Sequence, residues 1–167
     1  MNVGFLGLGK LGLPVALAID SKGHNVCGYD IDERIKTYLD EGAIPYREEG
    51  SQELLDNHNI QFTDVNNMVR NSEIIFVPIQ TPHDEMYEGI TRIPQTRKEG
   101  ISVLADAINK QEEDKVVIII STVLPGTIER EIKPLLNDKM KLCYNPFFIA
   151  MGTTIADFTN PEFVLFG

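Results

Sequence analysis

Three glycines and one carboxylate carry the most readable chemistry in this chain. Gly7, Gly9 and Gly12 fall at G-x-G-x-x-G spacing, between an apolar strand-like run ending at Leu6 and an apolar helical run reaching Ile19. Gly7 allows the tight turn from strand into helix, and Gly9 has no Cβ to keep a pyrophosphate from the backbone. Gly12 lets the helix pack closely on the strand. The free N–H groups and positive dipole end of that helix then attract the diphosphate. A second apolar run, Asn25 to Tyr29, ends on Asp30, near the roughly 20-residue spacing of the acid that takes ribose hydroxyls. A carboxylate there repels a 2′-phosphate, so the pattern points to NAD rather than NADP. Glycine spacing alone is weak evidence, because Gly-rich turns occur in other α/β proteins. Strand, helix and acid together make it a dinucleotide fingerprint.

The elements that must position these residues alternate regularly. Short apolar strands are predicted at Val3–Leu6, Asn25–Tyr29, Ile60–Phe62, Glu73–Val77, Val116–Ile120 and Lys141–Tyr144, with amphipathic helices between them. Such alternation predicts an α/β fold: a Rossmann-like, doubly wound, mainly parallel sheet with helices on both faces. Val116–Ile120 is the most continuous apolar run and reads as a buried central strand. Helices are predicted over Glu33–Asp40, closed by Gly42, over Gln52–Asn57, after an Asp64 N-cap, over Ser102–Asn109, and from Pro125-Gly126-Thr127 to about Leu136. His83 to Glu99 lacks periodicity and reads as a long loop. Phe163–Gly167 reads as a further strand, and a chain stopping there without a polar tail suggests a cut polypeptide.

In open parallel sheets, ligands sit at the carboxyl ends of the strands. The polar residues found there are Asp30, Thr81, Ser121, Thr122 and Asn145. For Thr122, a helix-capping hydroxyl and a ligand contact are equally good readings. His83 reads as a solvated loop residue beside Asp84, and His24 and His58 as surface residues before strands. Cys27 and Cys143 lie in apolar segments and read as buried free thiols, in keeping with a reducing cytoplasm. No zinc-protease, nucleophile-elbow, CxxC or P-loop motif is present.

The 167 residues, 43% of them apolar, fit one domain with a real core. No apolar run approaches the roughly 18 residues that span a bilayer, and Met1 is followed at once by a core strand rather than a signal peptide. A net charge of −10 argues against a nucleic-acid or anionic-membrane partner.

In order along the chain stand Gly7-Leu8-Gly9-Lys10-Leu11-Gly12-Leu13-Pro14, Tyr29-Asp30, Gly42 with the Pro45 loop, and Thr81-Pro82. Then come Ser121-Thr122-Val123-Leu124-Pro125-Gly126-Thr127, Tyr144-Asn145-Pro146, and Gly152 through Asp157 to Pro161. This series, from Val3 to Gly167, resembles the N-terminal NAD-binding domain of the UDP-glucose/GDP-mannose dehydrogenases. The resemblance implies a soluble enzyme that uses two NAD molecules to oxidise the C6 alcohol of a nucleotide sugar, UDP-glucose or similar, to the acid. The reaction passes through an enzyme-bound thiohemiacetal and thioester. It implies that residues 1–167 are the NAD-binding domain, with the catalytic cysteine, a helical linker and a C-terminal substrate domain beyond this segment. It further implies that Gly7, Gly9, Lys10, Leu11, Gly12 and Asp30, with Arg34 as a candidate, hold the adenosine half of NAD. Thr81 and Thr122 would lie along the nicotinamide half, and Thr122 would also help position a catalytic water. An isolated domain of this kind should bind NAD weakly and turn over nothing. A homo-oligomer stays open.

Two departures stand out. Where the family reads Asn-Pro-Glu-Phe-Leu-x-Glu-Gly, this chain reads Asn145-Pro146-Phe147-Phe148-Ile149-Ala150-Met151-Gly152. Phe147 and Met151 thus replace the two glutamates, and neither can accept a proton. The family's Val-Pro-Thr-Pro reads Ile79-Gln80-Thr81-Pro82. Other readings are a β-hydroxyacid-type dehydrogenase related to 6-phosphogluconate dehydrogenase, or a non-catalytic dinucleotide- or partner-binding module. The module would use Phe147, Phe148, Ile149 and Met151 as an apolar face. Plain core packing is the favoured reading of that cluster.

Overall fold

A computed structural model of the chain describes residues 1–78, 95–123 and 125–167, the side chains of 95–98 aside. Thr81, with the neighbouring Gln80, Pro82, His83 and Asp84, lies outside the described residues.

Strands β1 (Asn2–Leu6), β2 (Asn25–Tyr29), β3 (Gln61–Phe62), β4 (Ile74–Val77), β5 (Lys115–Ile119) and β6 (Met140–Tyr144) form one sheet in the order β3-β2-β1-β4-β5-β6. Every pair is parallel. The order reverses between β1 and β4, which makes the crevice above their carboxyl ends the topological switch point. The predicted doubly wound sheet is what the chain forms.

Alternating side chains feed two cores. Val3 and Phe5 of β1 pack with Leu13, Val15 and Leu17 of helix α1 (Gly12–Asp20), Ile35 and Leu39 of α2 (Arg34–Glu41), and Leu55 of α3 (Ser51–Asp56). Ile75, Val77, Val117 and Ile119 face the other way. There they meet Met68 and Val69 of α4 (Val65–Asn71) and Ile101, Leu104 and Ile108 of α5 (Gln95–Asn109). Helix α1 is buried along every residue from Gly12 to Ile19, as an all-round apolar sequence requires. Asp64 caps α4 as expected, its side chain accepting the Asn67 amide N–H.

Four expectations shift. Helix α5 begins at Gln95, so Gln95–Glu99 is helix rather than loop; it continues through Gly100, since a single glycine weakens a helix without ending it. The segment after Gly126 is a π-type turn over Ile128–Ile132 followed by a 3₁₀ turn over Lys133–Leu135. Pro134 has no N–H for the regular ladder, which accounts for the break. Strand β5 is one in from the β6 edge rather than central, and Val116 is 37% exposed. Residues 163–167 form no strand; at the end Gly167 and Tyr144 exchange both backbone hydrogen bonds (2.9 and 2.8 Å), as an antiparallel pair does.

Candidate functional site

The turn from β1 into α1 stands at the switch point, and its three glycines meet three different surroundings. Gly7 has φ +116°, a left-handed conformation that favours glycine. A Cβ on Gly12 would lie 2.2 Å from the Gly7 carbonyl oxygen and 2.9 Å from Cγ of Pro78, just past β4. That position admits hydrogen alone. A Cβ on Gly9 would meet nothing within 4 Å. Gly9 is therefore bare not because the protein crowds it but because it faces open space at a helix N-terminus.

That terminus is chemically available. Leu11 is the N-cap residue of α1 and no side chain caps the helix; Leu13 N–H donates to the Gly9 carbonyl at 3.0 Å and Pro14 has none, which leaves the Leu11 and Gly12 amides to meet an anion. Lys10 and Gly9 are exposed, and Leu11 is half-buried. The Lys10 ammonium lies 5.9 Å from the Tyr46 ring centroid, within cation–π range.

Asp30 follows β2 and is fixed from two sides. Its Oδ2 accepts the Leu8 N–H at 2.6 Å and its Oδ1 accepts the Asp32 N–H at 2.9 Å. The carboxylate thus ties the glycine turn to the end of the neighbouring strand, half-exposed beside the open face of Gly9. Arg34 is occupied differently: Nε reaches Asp32 Oδ1 at 2.8 Å and an Nη reaches Oδ2 at 2.7 Å. The two side chains form an exposed fork, and the Arg34 guanidinium holds the Asp32 carboxyl below the usual carboxylate range.

The residues at the far strand ends are distributed less simply. Thr122 is exposed after β5, and the helical turn beyond it has Thr127 as its N-cap, so Thr122 is not that cap. Ser121 is buried. Asn145 is buried after β6, where its Nδ2 donates to the Leu165 carbonyl at 2.7 Å. Its amide holds the terminal segment rather than facing the crevice. Phe147 packs between Phe76 and Phe158, with ring centroids 6.4 and 5.2 Å away. Phe76 in turn stacks on Phe5, its register partner across β1 and β4. Met151 is 64% exposed, and Phe148 is 57% exposed against Phe163. The apolar cluster therefore splits: Phe147 is core, while Phe148 and Met151 are surface.

One group overturns its sequence reading, in which Glu48-Glu49 is a solvated charged face. Glu48, in the Pro45 loop, is buried, and its Oε1 accepts the Ile155 N–H at 3.1 Å. Beside it, the Glu49 N–H donates to the Gly152 carbonyl at 2.8 Å. This loop therefore clamps the segment carrying Met151 and leading into α6 (Thr154–Thr159). Burial and the Glu48 charge raise the Tyr46 phenol above its ordinary range, and its buried hydroxyl has no hydrogen-bond partner among the described residues. Only long-range contact reveals this cluster. His58 is likewise no bare surface residue; its ring nitrogens bond the Leu39 carbonyl and the Ile60 N–H. Among the described residues no cluster of His, Cys, Asp or Glu could hold a metal ion, and no helix is long and apolar enough to cross a membrane.

Comparison with known proteins bears on the same residues. The family model of the UDP-glucose/GDP-mannose dehydrogenase family, NAD-binding domain, matches residues 1–167. The chain belongs to this family. The family is one of NAD-dependent nucleotide-sugar dehydrogenases, and the matched part is its NAD-binding domain. An uncharacterised protein of Methanocaldococcus jannaschii is 36% identical over the whole chain, which covers 18% of that protein. A UDP-glucose 6-dehydrogenase of Haloferax volcanii is 25% identical, with 100% of this chain and 41% of the relative covered. Among solved structures, a ternary complex of GDP-mannose dehydrogenase from Pseudomonas aeruginosa superposes with a TM-score of 0.90 at 25% identity, over 100% of this chain and 41% of that one. The chain thus spans about two-fifths of the dehydrogenases it matches.

The open space at Gly9, the uncapped helix terminus and the Asp30 carboxylate fit NAD.

Proposed function

We propose that residues 1–167 are the cofactor-holding domain of a cytoplasmic nucleotide-sugar 6-dehydrogenase. Its substrate would be UDP-glucose or a similar sugar nucleotide, oxidised at C6 to the uronic acid. The observation that carries the reading is the contrast between Gly12, where a Cβ strikes backbone, and Gly9, where it meets open space. Gly9 has neither the left-handed backbone of Gly7 nor the crowding of Gly12 to account for its lack of a side chain. On this reading Gly7, Gly9, Lys10, Leu11 and Gly12 receive the diphosphate, and Asp30 accepts the adenosine ribose hydroxyls. Arg34 lies at the rim of that pocket, and Thr81 and Thr122 serve the nicotinamide half, Thr122 also orienting water. Bound NAD would supply the hydride acceptor. Sugar binding and covalent chemistry would belong to the parts that the longer relatives carry, so this chain alone binds NAD and oxidises nothing.

Calorimetric titration of the chain with NAD and NADP tests this. Binding of NAD, weaker binding of NADP and no NADH from UDP-glucose are expected. Failure to bind NAD, or tighter binding of NADP, overturns the cofactor assignment; NADH formed from UDP-glucose overturns the inactivity of the isolated chain.

The exposed Phe148 and Met151 favour a second reading, a non-catalytic dinucleotide- and partner-binding module. Sugar oxidation by the longest natural polypeptide carrying this sequence would exclude it.

A further inference from the structure

Resting on the assignment of Asp30 to the adenosine ribose, we propose that Asp32 is a second determinant of cofactor choice, acting through Arg34. An arginine just beyond the ribose-binding acid is the usual means by which this fold accepts a 2′-phosphate. Arg34 stands in that neighbourhood, yet its fork is already taken. Nε lies 2.8 and 3.0 Å from the two oxygens of Asp32, and an Nη lies 2.7 Å from Oδ2. A guanidinium recognises phosphate through the same planar pair of donors it uses for carboxylate. The two partners therefore compete for one face of Arg34.

Asp32 is unusually well placed to win. Its backbone N–H is held by Asp30 Oδ1 at 2.9 Å, and its own Oδ1 also accepts the Arg34 N–H at 3.1 Å. The chain of bonds runs from the glycine turn through Asp30 to Asp32 and Arg34, so the carboxylate is oriented before any ligand arrives. Isolated exposed ion pairs contribute little to stability, and this one is not offered as a stabilising device. It is a negative element: it withdraws Arg34 from a 2′-phosphate and leaves a second carboxylate facing it. Asp30 alone would reject NADP by direct repulsion. Asp32 removes the cation that could offset that repulsion.

The test is a set of variants titrated with NAD and NADP, with circular dichroism as the check on folding. Asn at position 32 keeps the size and the acceptor for the Arg34 N–H, so the turn should persist. Asp30→Asn alone should weaken NAD and leave NADP weak, because Arg34 stays clamped. Adding Asp32→Asn should tighten NADP by about tenfold over the single variant, the size of one charged hydrogen bond, with NAD unchanged between the two. Adding Arg34→Ala should cancel that gain. The inference is overturned if the double variant binds NADP no better than Asp30→Asn. It is also overturned if the gain survives Arg34→Ala, since mere removal of negative charge would then explain it. Wild-type protein that takes up neither nucleotide would instead overturn the underlying assignment of the site, and the inference with it.

Discussion

The turn between β1 and α1 and the segment after β6 both stand at the carboxyl edge of the sheet, but they are made of different material. The first is built from backbone: glycines without Cβ atoms, free N–H groups, and one carboxylate fastened to Leu8 and Asp32. The second is built from side chains, with Phe147 wedged between Phe76 and Phe158 and Met151 left in solvent. Backbone geometry tolerates almost no substitution, whereas a packed or exposed side chain tolerates several. In the first region chemistry depends on what side chains leave open; in the second, Phe147 joins an aromatic row and Met151 lies at the surface.

Substituting Gly12 should break the comparison most sharply. A methyl group there would sit 2.2 Å from a backbone oxygen, which must move for the turn to form. Gly12→Ala is expected to cost about 3 kcal/mol, the upper end of overpacking penalties, and to abolish NAD binding. Gly9→Ala meets no protein atom, so it should leave the melting temperature unchanged while weakening NAD, since its methyl group would enter the proposed diphosphate space. Thermal melts and titrations on the two variants read both effects. Equal stability losses would mean that the two glycines do not play the separate roles assigned to them.

Next in size come Phe147 and Met151. Phe147→Ala removes a half-buried ring from an aromatic row and should cost about 2 kcal/mol, less than full burial would give. Met151→Ala should change stability by under about 0.5 kcal/mol, as exposed substitutions do. Introducing acids sharpens the contrast: Phe147→Glu should destabilise at least as much as Phe147→Ala, because it places a carboxylate between Phe76 and Phe158, while Met151→Glu should be tolerated. Chemical denaturation of the four variants measures this. A tolerated Phe147→Glu would show that Phe147 is not held by packing between the two rings.

The first region was legible because its information is local. The glycine spacing, the strand before it and the acid after it lie within Asn2–Asp30, and each acts through backbone geometry that sequence reports directly. The helix closed by Gly42 and the Asp64 cap were readable for the same reason. What escaped was set by distance or by competition. Glu48 reaches Ile155 across 107 positions, and no local pattern announces such a pair. The Asp32–Arg34 fork was close in sequence, but a D-x-R spacing is too common to single out without coordinates. The β5 run looked central because it is continuously apolar, yet a strand flanked by β4 and β6 needs that composition just as much.

The smallest effect concerns the two thiols, one in the strand that ends before Asp30 and one in the strand that leads to Phe147. Cys27 in β2 is buried, its sulfur 3.5 Å from the Ser72 hydroxyl, and burial pushes its pKa up. Cys143 in β6 is half-exposed. The thiolate is the reactive form, so a disulfide reagent at mild alkaline pH should label Cys143 first and reach Cys27 only on unfolding. The same shift fixes a pH dependence. The folded state holds the Cys27 proton more tightly than the unfolded chain, so its contribution to stability is complete below the ordinary thiol pKa of 9.0. That contribution is lost as pH rises from there through the higher folded value. Cys27→Ala should flatten the alkaline limb of the stability profile slightly, and Cys143→Ala should leave it alone. Equal labelling rates for the two thiols in the native protein would mean that the sheet opens at β2 as readily as at its β6 edge, and the contrast between a rigid first region and a more permissive second one would fall.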